Sequence, residues 1–261
     1  MSGGAPVGRV PLPPTIQGDP ALAWVLFDAG HTLIHDATPA AEIAHAALQA
    51  SGVSAPVARV AEAMEAAMAQ VATQWHHGDW WLTESSVKQL FTEAYQAHLR
   101  HLPELGDDLR KTREVAHRIY DTYQDPVHWR AFADVLPALR SLRAAGVRMG
   151  VVSDWGHGLE AILLELELGA FLEFLVASAR VGVGKPDPRV FELALARIDA
   201  RPEQCVYIGD TYVKDVMGAR AAGIAAVLLD RGGAMPPLDC PTVRDLHELL
   251  LLLDVPSEVG A

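Results

Sequence analysis

The chain of 261 residues holds only two cysteines, Cys205 and Cys240. Two isolated thiols give neither a disulfide framework nor a zinc spacing. That usage fits a reducing compartment, and the cytoplasm is the expected location. Cys205 opens a predicted core strand and reads as a small buried hydrophobe. No apolar run reaches membrane-spanning length, and the stretch from Leu249 to Leu253 is far too short. The first residues lack the basic, apolar, cleavable pattern of a secretory signal. Basic clusters are missing too: 21 Lys and Arg stand against 33 Asp and Glu, for a formal net charge of −12. Nucleic acid and anionic membrane surfaces are therefore not expected as partners, because phosphate backbones need basic patches. There is no internal repeat. Half of the residues are hydrophobic, enough for one α/β core with a smaller domain.

Segment 23–33 is the most informative: Ala23-Trp24-Val25-Leu26-Phe27-Asp28-Ala29-Gly30-His31-Thr32-Leu33. The apolar run is too short for a free-standing helix. It reads as a buried strand delivering Asp28 to a sheet edge. A carboxylate there is costly without a cationic partner, which points to a metal or to catalysis. The alternative is an Asp that caps the next element.

Two further strands end in the same manner. Arg148-Met149-Gly150-Val151-Val152 stops at Ser153-Asp154, and Cys205-Val206-Tyr207-Ile208 stops at Gly209-Asp210, with Asp215 following. Between them lies Gly184-Lys185-Pro186-Asp187-Pro188, just ahead of a predicted helix. Ligands gather at the carboxyl ends of strands in open parallel sheets, so the three polar tips and Lys185 describe one site.

The rest of the chain sets the fold class. Residues 1–20 are rich in Gly and Pro and read as an extended arm. Residues 39–123 are Ala-rich and helical in period, predicting four or five helices. After residue 127, helices and strands alternate: helices at 136–145, 159–168, 188–198, 213–222 and most of 243–252, strands at 174–177 and 224–229. Gly146, Gly169 and Gly223 supply helix stops. Alternation of this kind predicts a parallel sheet covered on both faces. The expected architecture is an α/β Rossmann-like doubly wound core (residues 21–37 and 127–261) with an inserted all-helical domain (residues 38–126).

These four segments resemble the four signature motifs of the haloacid dehalogenase superfamily, over nearly the whole chain from Trp24 to about Leu252. The resemblance implies a central strand for Asp28 between those of Ser153 and Asp210, and a helical cap over the site that sets substrate choice. It implies an Asp28 nucleophile, Ser153 and Asp154 on a phosphate, and Lys185 neutralising charge. It also implies Mg²⁺ held by Asp28, the Gly30 carbonyl, Asp210 and Asp215; Asp215 is expected to orient either Lys185 or a metal-bound water, the alternative being a residue that only occupies a helix face. Backbone amides at residues 155–159 are expected to hold a further phosphate oxygen. The implied partner is a small phosphorylated molecule, and the chain is expected to be a monomer or homodimer.

One position departs from the family pattern. Its phosphatases carry a second Asp, the general acid/base, two residues after the nucleophile, where this chain has Gly30. General acid/base help is typically worth about 10²–10⁴-fold. Substrates with good leaving groups, or a substitute acid, are therefore expected. His31, Asp154 and His157 are the candidates, and His31 has the most suitable intrinsic pKa. Two other readings stay open: a non-catalytic binding protein on the same fold, and a metal-free dehalogenase. Family dehalogenases lack the acidic fourth motif and place an Arg near the nucleophile. A phosphonate-cleaving relative would need a reactive cap lysine, and Lys88 and Lys111 stand in no recognisable context. The cluster Trp75-His76-His77-Gly78-Asp79-Trp80-Trp81 reads either as a substrate-facing patch or as packing between cap helices.

Overall fold

The computed structural model describes residues 22–74 and 80–257. The expected arm at 1–20 and five residues of the Trp/His cluster, 75–79, lie outside the described residues.

The apolar run folds as β1 (Trp24–Phe27). Successive side chains of a strand face opposite ways. Val25 and Phe27 enter one apolar cluster and Trp24 and Leu26 another, so both faces of β1 are buried. Complete burial contributes roughly 1.5–3 kcal/mol for each such large side chain. β2 (Ile34–Asp36) follows. Four helices come next: α1 (Ala40–Ala50), α2 (Val57–Gln74), α3 (Glu84–Leu99) and α4 (Leu109–Tyr123). They share an apolar core of their own, including Leu48, Met64, Leu90, Tyr95 and Ile119. Thr83 caps α3, its hydroxyl accepting from the Ser86 N–H at 3.0 Å; Asp108 caps α4 from Lys111 at 2.9 Å. Such caps satisfy otherwise orphaned helix donors.

β3 (Trp129–Ala131) returns the chain beside its exit, pairing antiparallel with β2. The core then runs α5 (Val135–Ala144), β4 (Arg148–Ser153), α6 (Leu159–Glu165), β5 (Phe174–Ala177), α7 (Ser178–Val181), α8 (Pro188–Ile198) and β6 (Cys205–Gly209). A π-helical turn at Tyr212–Met217 leads into α9 (Gly218–Ala221), β7 (Ala225–Leu229), β8 (Thr242–Val243) and α10 (Leu246–Leu252). The sheet is parallel throughout, in the order β5-β4-β1-β6-β7-β8. The fold is thus α/β and Rossmann-like, with β1 central between β4 and β6. Phe27 pairs with both Val151 and Ile208, so Asp28 leaves the sheet between the ends of its neighbours.

Several local expectations are corrected. β2, β3 and β8 are too short to show strand alternation. The helix expected at 159–168 stops at Glu165, because Glu167 turns left-handed with φ 60°. The helix expected at 213–222 is a π-helical turn followed by one short α-helical stretch. The 243–252 segment starts as β8, and its helix begins only at Leu246. Among the described residues, no helix is long and apolar enough to cross a membrane.

Candidate active site

Asp28 sits at the carboxyl edge of β1, its N–H donating to the Ile208 carbonyl at 2.8 Å. Its two oxygens differ. Oδ1 accepts from Ser153 Oγ at 2.9 Å and from Lys185 Nζ at 2.7 Å. Among the described residues, Oδ2 receives only a long contact from Thr32 Oγ1, at 3.4 Å. One oxygen is held in place; the other is open to chemistry.

Lys185 is buried, and an ammonium has three protons to give. They go to Asp28 Oδ1, to Asp215 Oδ1 at 2.6 Å and to the Tyr207 hydroxyl at 3.1 Å. Burial alone would lower the Lys185 pKa, but Asp215 and Asp28 outweigh it and hold the group above its ordinary value. Tyr207 donates in turn to the Val152 carbonyl at 2.7 Å. Asp215 places its Oδ2 on the Thr211 N–H at 2.8 Å. A Cβ at Gly209 would lie 2.2 Å from the Asp215 carboxyl carbon, so only glycine admits that carboxylate. Of the readings open for Asp215, orienting Lys185 is the one its contacts display, and its burial sets it apart from a residue that only occupies a helix face.

Asp210 completes an acidic trio. One carboxylate oxygen each from Asp28, Asp210 and Asp215 lie within 4.8 Å of one another. Burial, then the charges of Asp28 and Asp215, push the Asp210 pKa up to about 7. Three carboxylates against the single ammonium of Lys185 leave excess negative charge. An all-oxygen donor set of this kind suits a hard cation such as Mg²⁺. The residues present therefore fit the ion that the family resemblance implies.

Asp154 departs from the expected phosphate-binding role. Its Oδ1 accepts the Lys185 N–H at 2.8 Å and its Oδ2 the Lys214 ammonium at 2.8 Å. It fixes the lysine-bearing loop, and a carboxylate so engaged would repel a phosphate. The amides at 155–159 are also committed in part: Trp155 N donates to Ser178 Oγ at 3.2 Å and His157 N to Glu84 Oε2 at 2.6 Å. Glu84, at the start of α3, holds Tyr120 on its other oxygen at 2.8 Å and so ties the helical layer to the core. His157 is thereby held by its backbone at this tie.

Gly30 and His31 line the same cavity as Asp28. His31 has φ 53° and is exposed, so its ring stands at the solvent side of the wall. A Cβ on Gly30 would lie 3.0 Å from the Trp155 ring, so a side chain there requires the ring to give by a few tenths of an ångström. The cavity measures about 230 Å³ and continues from Asp28 toward the helical layer, where Phe91, Tyr95, Tyr120 and Tyr123 line it.

Sequence reading missed Tyr207, Lys214 and Trp155. Tyr207 is masked by its place in an apolar strand, and Trp155 follows a strand end with no periodic signal. Lys214 is buried, its ammonium 5.0 Å from the centroid of the Trp81 ring. Burial lowers its pKa and Asp154 partly restores it. An ionisable residue directly before Asp215 was the only available cue. Trp81 both lines the cavity and packs in the apolar core of the helical layer, so its place agrees with either reading of the cluster, while residues 75–79 lie outside the described residues.

Similarity to known proteins follows these motifs. The chain is 36% identical over 137 residues to haloacid dehalogenase-like hydrolase domain-containing protein 3 of Danio rerio, covering 52% of this chain and 57% of that protein. It is 32% identical over 157 residues to the phosphoserine phosphatase of Thermus thermophilus, covering 58% and 61%. The chain thus spans less than two thirds of the length of either relative. Among solved structures, the magnesium-bound HAD-hydrolase YfnB of Bacillus subtilis superposes with a TM-score of 0.69 at 17% identity, covering 89% of this chain and 99% of that one. The family profile described as haloacid dehalogenase-like hydrolase matches residues 22–223, which include Asp28, Ser153, Lys185, Asp210 and Asp215. With the signature residues meeting at one sheet edge and the profile spanning them all, this chain belongs to the haloacid dehalogenase-like hydrolase family.

Proposed function

We propose that this hydrolase is a Mg²⁺-dependent phosphatase of a small phosphomonoester, acting through an aspartyl-phosphate on Asp28. One observation carries the reading: the carboxylate with an uncommitted Oδ2 lies beside both a buried ammonium and an acidic trio. Asp28, Asp210 and the Gly30 carbonyl would hold Mg²⁺, with Asp215 behind them. When bound, that ion would offset the repulsion between an anionic phosphoryl group and the carboxylates. Asp28 Oδ2 attacks phosphorus and displaces the leaving oxygen. Lys185 shifts hydrogen bonding from Asp28 to a phosphoryl oxygen, while Asp215 and Tyr207 keep its ammonium in position. Ser153 donates to a second oxygen. Water then cleaves the acyl phosphate. His31 is the imidazole on the described cavity wall and would deliver a proton where a leaving group needs one.

The phosphatase name of the Thermus thermophilus relative supports the chemistry. The dehalogenase reading loses ground: the fourth-motif acids converge on Asp28, and no Arg lines the cavity among the described residues. The test is phosphate release from a panel of phosphomonoesters and an acyl phosphate, with and without Mg²⁺, using Asp28→Asn as control. Metal-dependent release that this substitution abolishes is expected. Metal-independent halide release from small haloacids would favour the dehalogenase, and no turnover at all would favour a binding protein.

A further inference from the structure

We propose that the substrate is an aryl phosphomonoester, with its ring in the aromatic half of the cavity and its phosphoryl group at Asp28. The assignment rests on the phosphatase reading and narrows it. Two separate observations lead there, one from packing and one from leaving-group chemistry.

The first is the cavity. Beyond Asp28 it is walled by Phe91, Tyr95, Tyr120 and Tyr123, with Trp81 and Trp155 also lining it. The Phe91 ring lies 6.3 Å from Trp81, 6.2 Å from Tyr95 and 6.1 Å from Tyr120, in edge-on or tilted arrangements. Centroid separations of about 4.5–7 Å are those of favourable aromatic contacts, so the rings brace one another into a fixed aromatic wall. An apolar cavity of about 150 Å³ accommodates benzene. The 230 Å³ here, which includes the space at Asp28, holds a ring together with its phosphoryl group. Polar groups on the same walls are few: Asp36 and Gln124 line the cavity beside the rings, and the Tyr120 hydroxyl is already given to Glu84.

The second is the protonation problem. The position of the usual acid is Gly30, and the Trp155 ring fills the adjoining space. An alkyl ester expels an alkoxide whose conjugate acid has a pKa near that of water, about 16. A phenol has a pKa of about 10. In the aryl case Asp28 Oδ2 forms its bond to phosphorus as the phosphorus–aryl oxygen bond breaks. The electron pair leaves on the phenolic oxygen, which then takes a proton from water. A second water attacks the phosphorus, releasing inorganic phosphate and restoring Asp28. No protein acid is required for departure, so the acid half of that roughly 10²–10⁴-fold acid/base benefit is dispensable for such substrates, while attack of water on the acyl phosphate is the same for every ester.

The test separates ring recognition from leaving-group reactivity. Inhibition by phenylphosphonate and methylphosphonate, which have no ester bond to break, is compared for the wild type and for Phe91→Leu and Tyr95→Leu. Hydrolysis of phenyl phosphate and cyclohexyl phosphate is followed alongside, with Asp28→Asn as control. Phenylphosphonate should bind at least tenfold tighter than methylphosphonate. Each folded variant, checked by its melting temperature, should narrow that ratio about fivefold. Phenyl phosphate should exceed cyclohexyl phosphate at least 100-fold in kcat/KM. Equal inhibition by the two phosphonates, with Asp28-dependent hydrolysis of both esters at similar rates, would overturn the aryl assignment and leave the phosphatase standing. Selective phenylphosphonate binding without Asp28-dependent phosphate release would keep the ring pocket and overturn the phosphatase.

Discussion

The Trp155 ring closes off the side-chain position of Gly30: a Cβ there would meet ring carbon Cζ3 at 3.0 Å. Trp155 is itself braced by Trp129, with ring centroids 4.8 Å apart. A side chain at position 30 therefore has to move an indole that a second indole supports.

Restoring the acid by Gly30→Asp alone should cost about 1–3 kcal/mol of stability, the usual price of overpacking, with little gain in alkyl phosphate turnover. Combining it with Trp155→Ala should raise alkyl phosphate kcat above that of Trp155→Ala alone, by up to about 10²-fold. Thermal melts and steady-state rates of the three variants check this. A full gain from the single substitution would show that the indole yields freely.

The buried Asp154–Lys214 pair should behave as a unit. Lys214→Met leaves a buried carboxylate without its ammonium and should destabilise by about 3–5 kcal/mol. Asp154→Asn with Lys214→Met should cost less than the sum of the two single changes. Urea denaturation of the four proteins gives the coupling, and strict additivity would contradict the pairing at 2.8 Å.

Tyr207→Phe removes the donor to the buried Val152 carbonyl and one acceptor of Lys185. A loss of about 1–3 kcal/mol is expected from the orphaned carbonyl. kcat should fall with it, because Lys185 loses one of its three anchors. Unchanged stability and kcat would remove Tyr207 from the account.

Metal-free protein should lose stability as the pH rises toward 7. The Asp210 pKa is about 7 in the fold, against an ordinary value of 3.8. The folded state therefore binds more protons than the unfolded state between these values, and stability falls with pH across that window. The protonated contribution is complete below about pH 4 and is gone once the pH has passed through 7. Chemical denaturation at a series of pH values in a chelator checks the slope, which Asp210→Asn should flatten. A slope of the opposite sign in the wild type that Asp210→Asn removes would contradict the burial argument.

Long, periodic elements were legible in the sequence; geometry within short ones was not. The apolar runs ending at Asp28, Ser153 and Asp210 foretold strands, because burial on both faces leaves a continuous hydrophobic signature; their order came from the family resemblance and not from any pattern in the runs. The helix at 188–198 was legible from Pro188 at its first turn and its apolar spacing. The π-helical turn at Tyr212–Met217 was not, because its residues carry ordinary helical composition. The same limit holds at the site. The carboxylates and Lys185 announce themselves by chemistry at strand ends. The commitment of Asp154 to Lys214, the anchoring by Tyr207 and the Trp155 plug depend on contacts between residues 22–125 positions apart, which no local pattern records.

Reductive trapping at Asp28 tests the central claim most directly. Borohydride added during turnover of a phosphomonoester with Mg²⁺ would reduce an aspartyl-phosphate to the alcohol, leaving homoserine at position 28. Peptide mass spectrometry should find that conversion at Asp28, dependent on substrate and on Mg²⁺. Sustained phosphate release with Asp28 unmodified, and undiminished in Asp28→Asn, would contradict the account.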